Sequence, residues 1–328
     1  MSCDFGKEYL GIKNPFSFGK SGSEEEAAKT FHELKGYIPP DTFRKQYIFD
    51  DTVKPHSSGT FGQVFFGLEK KDPSEKSMPI VVKKIYSKPT TRNPNASLDA
   101  ILREVQVGMS FNSPHLCKVY GFSVDEAGFV YIAMEHIHGM NAFDFFKENL
   151  YLGKTNPCLA KKILHHVARG LATLHEADFV HRDFKPDNIM LEFNEAGEFV
   201  RAVIIDFGFT MRVCDIPHGS LQCSICYSAP EILKCGRCTE KVDIWAFGVM
   251  VFVILHGCYP IRSKYQNPGL EFDEVFQKLL KLTESPELPI YTEGNKDVND
   301  LRMICARCLE FVQDKRISAE ELLAMLSQ

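Results

Sequence analysis

Residues 181–188 read His181-Arg182-Asp183-Phe184-Lys185-Pro186-Asp187-Asn188, and residues 206–208 read Asp206-Phe207-Gly208. Within one short span they supply a carboxylate suited to act as a base, a cation close behind it, and oxygen donors suited to a hard divalent ion. A turn rich in Asp and Asn accounts for any one of these residues. It does not account for all of them in this order. Handling a phosphoryl group needs such a set and little covalent chemistry besides, because the task is placement and charge stabilisation.

Working outward, Ser57-Ser58-Gly59-Thr60-Phe61-Gly62-Gln63-Val64 lies between strand-like segments. Gly59 and Gly62 let the backbone approach phosphate oxygens where a Cβ would clash. Taken alone, a simple hairpin turn explains the stretch as well. Lys83 ends the apolar run Ile80-Val81-Val82-Lys83, and a buried ammonium is expensive unless paired. Glu104, on the following helical segment, is a suitable partner; the alternative is an edge strand on which Lys83 is solvated like its neighbour Lys84.

Short β-branched and aromatic runs predict strands at 47–49, 63–66, 80–85, 118–122 and 129–134, with a helix over 96–110 and a connector at 135–140. Beyond that, Leu159, Ile163, Leu164, Val167, Leu171 and Leu174 share one helical face. A strand pair follows at 189–193 and 200–205, then helices at 243–255, 272–282, 298–309 and 319–326. The outline is an α+β chain with a strand-rich lobe over 46–134, a hinge at 135–140 and a larger helical lobe over 141–326. An extension, 1–45, precedes them and is expected to pack on the main domain. In it, Ser23 and Glu26 form a capping box for a helix over 24–35 that ends at Gly36 and is stopped by Pro39-Pro40.

Composition excludes several classes. Hydrophobic content of 44% and charged content of 25% describe an ordinary globular chain. A net charge of -5 gives no general pull toward nucleic acid or anionic membrane. The start carries no secretory signal, and the most apolar run, near 244–256, is too short to span a bilayer. The 11 cysteines, without an export signal, point to reduced thiols in the cytosol or nucleus.

Taken in order, these motifs resemble the signature set of eukaryotic-type protein kinases over about residues 47–326. The glycine loop, Lys83, Glu104, 181–188, 206–208 and Ala229-Pro230-Glu231 carry the likeness. Asp243-Ile244-Trp245 with Gly248 resembles the central helix that braces the catalytic loop, and Arg316 resembles the arginine that pairs with Glu231. The resemblance implies a two-lobed fold: a small β-rich N-terminal lobe with one key helix and a mainly helical C-terminal lobe. It implies ATP and Mg²⁺ as cofactors, a protein substrate with a serine or threonine acceptor, and a monomer. Asp183 is the implied base, Lys185 stabilises the transferring group, and Asn188 and Asp206 are the implied metal ligands. The implied nucleotide site comprises Ser57, Gly59, Gly62, Val64, Val81, Lys83, Glu104, Met134, Glu135, Ile137 and Met190. In it Met134 gates the adenine pocket, and the backbone of Glu135 and Ile137 bonds the adenine edge. Lys185-Pro186-Asp187-Asn188 and Ser224 resemble the serine/threonine branch. Arg182 implies a phosphate on the segment 206–231, with Ser220 the candidate site.

Some positions depart from the pattern. Ser57 replaces the first loop glycine, and Val81 replaces an alanine, narrowing the adenine pocket. Gly108 stands where a large apolar residue is usual. It predicts a gap beside Phe207, which Met109 is placed to fill, a mobile helix, and a low resting population of the Lys83–Glu104 pair. Cys223-x2-Cys226 and Cys235-x2-Cys238 have zinc-ribbon arithmetic, but both fall on landmarks of the family; a thiol switch is an equal alternative. His136, His138, His165 and His166 show no ligand constellation and read as surface or hinge residues. Two other functions compete: a scaffold of the same fold without turnover, and a small-molecule kinase. Intact Lys83, Asp183, Asn188 and Asp206 argue against the first, and the peptide-docking look of 220–231 against the second. The chain ends soon after the last helix of the family, so no regulatory domain is expected to follow it.

Overall fold

A computed structural model describes residues 34–59, 62–71, 75–86, 98–151, 156–217, 224–233, 236–257, 259–260 and 296–327. The chain divides into two compact units, Met1–Asn112 with Cys117–His136, and Ser113–Leu116 with Ile137–Gln328. The expected helices at 24–35 and 272–282 lie outside the described residues, the first save for its last two positions.

In the first unit, β1 (Tyr47–Phe49), β3 (Gly62–Glu69), β4 (Met78–Tyr86), β6 (Phe129–Glu135) and β5 (Val119–Val124) form an antiparallel sheet in that order, and β2 (Ser57–Gly59) pairs with β3. Val64 lies opposite Lys83, Val81 opposite Met134, and Lys83 opposite Ile132. Alternation along a strand therefore puts Val64, Val81, Lys83, Ile132 and Met134 on one face. That face carries α2 (Leu98–Ser110), whose Ile101, Leu102 and Val105 share a core with Ile132. Ile80, Val82, Tyr131 and Ala133 occupy the other face and enclose Phe43 from α1 (Pro40–Gln46).

Two readings of this unit need correction. The prolines that were expected only to stop a helix also start one. Pro40 occupies the first turn of α1, where a missing N–H costs nothing and the fixed φ suits the helix. The expected gap at Gly108 does not exist: a Cβ there would lie 2.3 Å from Val119 Cγ2. The glycine lets β5 lie against α2, and Met109 has no space there to fill.

The second unit contains α3 (Ala142–Tyr151), α4 (Pro157–Glu176), α5 (Pro230–Leu233), α6 (Lys241–His256), α7 (Lys296–Cys308) and α8 (Ala319–Leu326). Its sheet runs β10 (Phe199–Ile204), β9 (Ile189–Phe193), β7 (Gly139–Asn141), with a separate pair of β8 (Phe179–Val180) and β11 (Met211–Arg212). The strand β7 takes the end of the expected connector. The Asn156 side chain caps α4 by accepting from Cys158 N and Leu159 N, and Pro157 follows it. Its buried face holds Ile163, Leu164, Val167, Leu171 and Leu174, as the helical spacing requires. Gly257, at φ 68, ends α6, and Ser318 with Glu321 forms a capping box on α8. His166 is half-buried, with its ring 4.7 Å from that of His115. Among the described residues, no helix is long and apolar enough to cross a membrane.

Candidate active site

In the second unit the loop after β8 turns Asp183 into a set of mutual hydrogen bonds. Lys185 Nζ donates to Asp183 Oδ2 at 2.7 Å, and Ser224 Oγ donates to Asp183 Oδ1 at 2.8 Å. Lys185 Nζ also reaches Ser224 Oγ at 3.0 Å, closing a triangle of carboxylate, cation and hydroxyl. Asn188 Nδ2 donates to the Asp183 carbonyl at 2.9 Å and to Oδ2 at 3.2 Å. Both bonds leave from the nitrogen, so the amide oxygen of Asn188 faces the other way. Asp206 follows β10 and is tied to the loop through the Ile205 N–H, which donates to Asn188 O at 2.9 Å. Arg182 and Asp206 both adopt left-handed backbone, at φ 68 and 64. For residues with a side chain this costs roughly 1–2 kcal/mol each and persists only where surrounding contacts dictate it.

For Arg182 those contacts come largely from Asp243 in the first turn of α6. The His181 N–H donates to its Oδ2 at 2.8 Å and the Arg182 N–H to its Oδ1 at 2.9 Å, while His175 Nε2 lies 2.9 Å from Oδ2. Burial alone would raise the Asp243 pKa, but the His175 bond and the neighbouring His175 and His181 rings outweigh it, and the carboxyl sits below its ordinary range. It therefore stays ionised at neutral pH and holds the loop by charge-assisted bonds. The His175 contribution was missed in the sequence; its only signal is a histidine in the last turn of a helix. Phe207 is buried against the His181 ring, with centroids 6.0 Å apart.

In the first unit, Lys83 Nζ donates to Glu104 Oε1 at 2.6 Å, and both side chains are nearly buried. The central position of β4 between β3 and β6 rules out the edge-strand reading of Lys83. The pair is formed in this structure. Val64, Val81 and Met134 share the face of Lys83, and Ser57 pairs with Val64 at the end of the β2–β3 hairpin. Gly59 lies opposite Gly62, and Glu135 N–H donates to Lys118 O at 2.9 Å. Ile137 is buried and Met190 lies on β9 opposite Asn141, both in the second unit. Ser220, Cys223 and Cys235 lie outside the described residues.

Farther along, Arg316 is buried and donates from Nη1 to Glu231 Oε1 at 2.7 Å and from Nη2 to Oε2 at 3.1 Å. This fork holds α5, just beyond Ser224, against the start of α8.

A family model of the protein kinase domain matches residues 56–326. A MAP kinase kinase of Saccharomyces cerevisiae is 32% identical over 197 residues, covering 60% of this chain and 37% of the relative. An Aurora kinase of Eremothecium gossypii is 27% identical over 224 residues, covering 67% and 54% respectively. A serine/threonine-protein kinase of Drosophila simulans is 26% identical over 244 residues, covering 73% of this chain and 30% of its own length. The chain thus spans only about a third to a half of the length of these relatives.

Proposed function

The chain belongs to the protein kinase family, and from that premise we propose that it is an active serine/threonine kinase moving the γ-phosphoryl group of ATP to a protein hydroxyl. The observation that carries this reading is the triangle of Asp183, Lys185 and Ser224, joined by Asn188. Asp183 accepts the proton of the substrate hydroxyl as its oxygen bonds to the γ-phosphorus. The bond from that phosphorus to the bridging oxygen breaks, and ADP leaves with the electron pair. Lys185 offsets negative charge on the transferring group.

Lys83, oriented by Glu104, meets the α- and β-phosphates. Ser57, Gly59 and Gly62 carry the loop over them. Val64, Val81, Met134 and Met190 are apolar walls for the base, whose edge bonds the backbone of Glu135 and Ile137. The oxygen donors of Asn188 and Asp206 suit Mg²⁺, which takes few protein ligands and completes its shell with water and phosphate. When bound, that ion neutralises phosphate charge. Phosphorylation of Ser220, answered by Arg182, orders the segment 206–231 and raises activity. The kinase domain covers 46–326, with lobes at 46–134 and 141–326 and a hinge at 135–140, and works as a cytosolic or nuclear monomer.

ATP consumption with a generic protein acceptor tests the reading. The full chain should turn over, and Asp183→Asn should lower kcat by about 10²–10⁴-fold in protein whose circular dichroism shows that it is still folded at the assay temperature. Equal turnover in the two proteins would end it.

A further inference from the structure

The segment ahead of α1 is built into the first unit. Phe122 N–H donates to Gly36 O at 2.9 Å, and Ile38 N–H donates to Phe122 O at 2.8 Å. Residues 36–38 thus add a short parallel partner to β5, the last strand in the sheet order. Gly36 has φ +88, and a Cβ on it would lie 2.2 Å from Met109 Sδ. A Cβ on Gly121 would lie 2.7 Å from Ile38 Cδ1. Both glycines are therefore points of close approach.

Met109 belongs to the last turn of α2, the helix that bears Glu104. Leu34, Tyr37 and Met109 each pack against the core that α2 shares with β5. The same chain is then fastened at α1, where Phe43 is buried and Arg44 bridges Asp51 at 3.1 Å while lying over the Tyr131 ring. One helix is thus held by β5 along its length and by the upstream segment at its end.

We propose that residues 34–38 are a clasp that positions α2, and with it the Glu104 carboxylate, for its pair with Lys83. Gly36, Ile38 and Met109 are positioning residues for phosphoryl transfer; this rests on the kinase reading above. The logic is that a packed helix shifts as a body. If its end is released, Glu104 moves away from Lys83, and a buried ammonium without its partner is strongly disfavoured.

The test uses the full chain with Ile38→Pro, which removes the donor to Phe122 O. Hydrogen exchange of amides 98–110 should quicken by about fivefold, the change one net hydrogen bond represents, while amides of α4 keep their rates. The kcat/KM for ATP should fall by about fivefold or more. In a Glu104→Gln background the same substitution should leave kcat/KM within about twofold, because the group it positions has lost its role. Met109→Ala should reproduce these effects and Met109→Leu should largely restore them, which keeps the test open if Ile38→Pro fails to fold. Unchanged α2 exchange, or equal fold-losses in both backgrounds, overturns the clasp. If the unaltered chain consumes no ATP, the kinase reading fails, while the exchange data still decide the clasp.

Discussion

Replacing Arg316 by methionine keeps much of the side-chain volume and removes every donor. The guanidinium is 1% exposed and gives two bonds to Glu231, one to the Glu310 carbonyl at 2.9 Å and one to the Lys241 carbonyl at 2.7 Å. It also lies over the Trp245 ring at 5.1 Å. Removing one member of a buried pair costs about 3–5 kcal/mol, because the other charge stays behind in a poor solvent for it. The Glu231 side chain is 12% exposed, so little of that is returned by water. The expected loss is about 4 kcal/mol, a large part of the roughly 5–15 kcal/mol that holds a domain folded. Urea unfolding of the full chain reads it as a lower midpoint at constant slope. Adding Glu231→Gln to Arg316→Met should recover about 1–2 kcal/mol by removing the stranded charge. A single variant that loses less than about 1 kcal/mol, or a double variant no more stable than the single, would refute the argument.

Three further outcomes are expected. Gly108→Ala gains about 1 kcal/mol of helix propensity but pushes a Cβ into Val119, at a cost of about 1–3 kcal/mol, so the melting temperature should fall and Val119→Ala should restore it; a rise would reinstate the gap. Ser224→Ala should lower kcat about tenfold with KM for ATP unchanged, since it removes the hydroxyl bridging Asp183 and Lys185; steady-state kinetics decide, and an unaltered kcat would exclude a role. Burial, with His115, His165 and Arg169 nearby, lowers the His166 pKa from 6.5 to about 4. The unfolded chain then takes up a proton that the folded one refuses, so stability falls as pH drops from 6.5 toward 4. Discounted for a half-buried ring, the His166 share of the loss between pH 7 and 5 is about 1 kcal/mol; His115, His165 and His256, also lowered by burial, act in the same sense, so His166→Phe should shrink the loss by that share, and an unchanged loss in the variant would refute the assignment.

The candidate site residues were legible because their order along the chain is itself the signal. Asp183, Lys185, Asn188 and Asp206 could be named before any packing was known, and so could the need of Lys83 for Glu104. Strands β4 and β6 were legible through their β-branched runs, and α4 through its apolar face. What escaped was set by contacts that carry no periodic signature in the sequence. Gly108 looked like a missing side chain, and only Val119 across the fold shows why nothing larger fits. Pro40 read as a stop because the helix it begins is short and held by the burial of Phe43 rather than by propensity. The helix α3 escaped because its opening signal is a single polar exchange, Asp144 N–H donating to Asn141 Oδ1 at 2.8 Å.

The reliance of the loop on Asp243 bears on how the protein is made. A ribosome that has released the chain as far as Gly208 has already issued Asp183, Lys185, Asn188 and Asp206. It has not yet issued the carboxylate toward which the amides of His181 and Arg182 turn, nor the hydroxyl of Ser224. Until α6 emerges and docks, the Asp243 bond that helps hold Arg182 in its unfavourable backbone conformation cannot form. A half-synthesised chain therefore holds the whole motif without the carboxylate that helps shape it, and the loop gains that support only with a helix lying well beyond the motif in sequence.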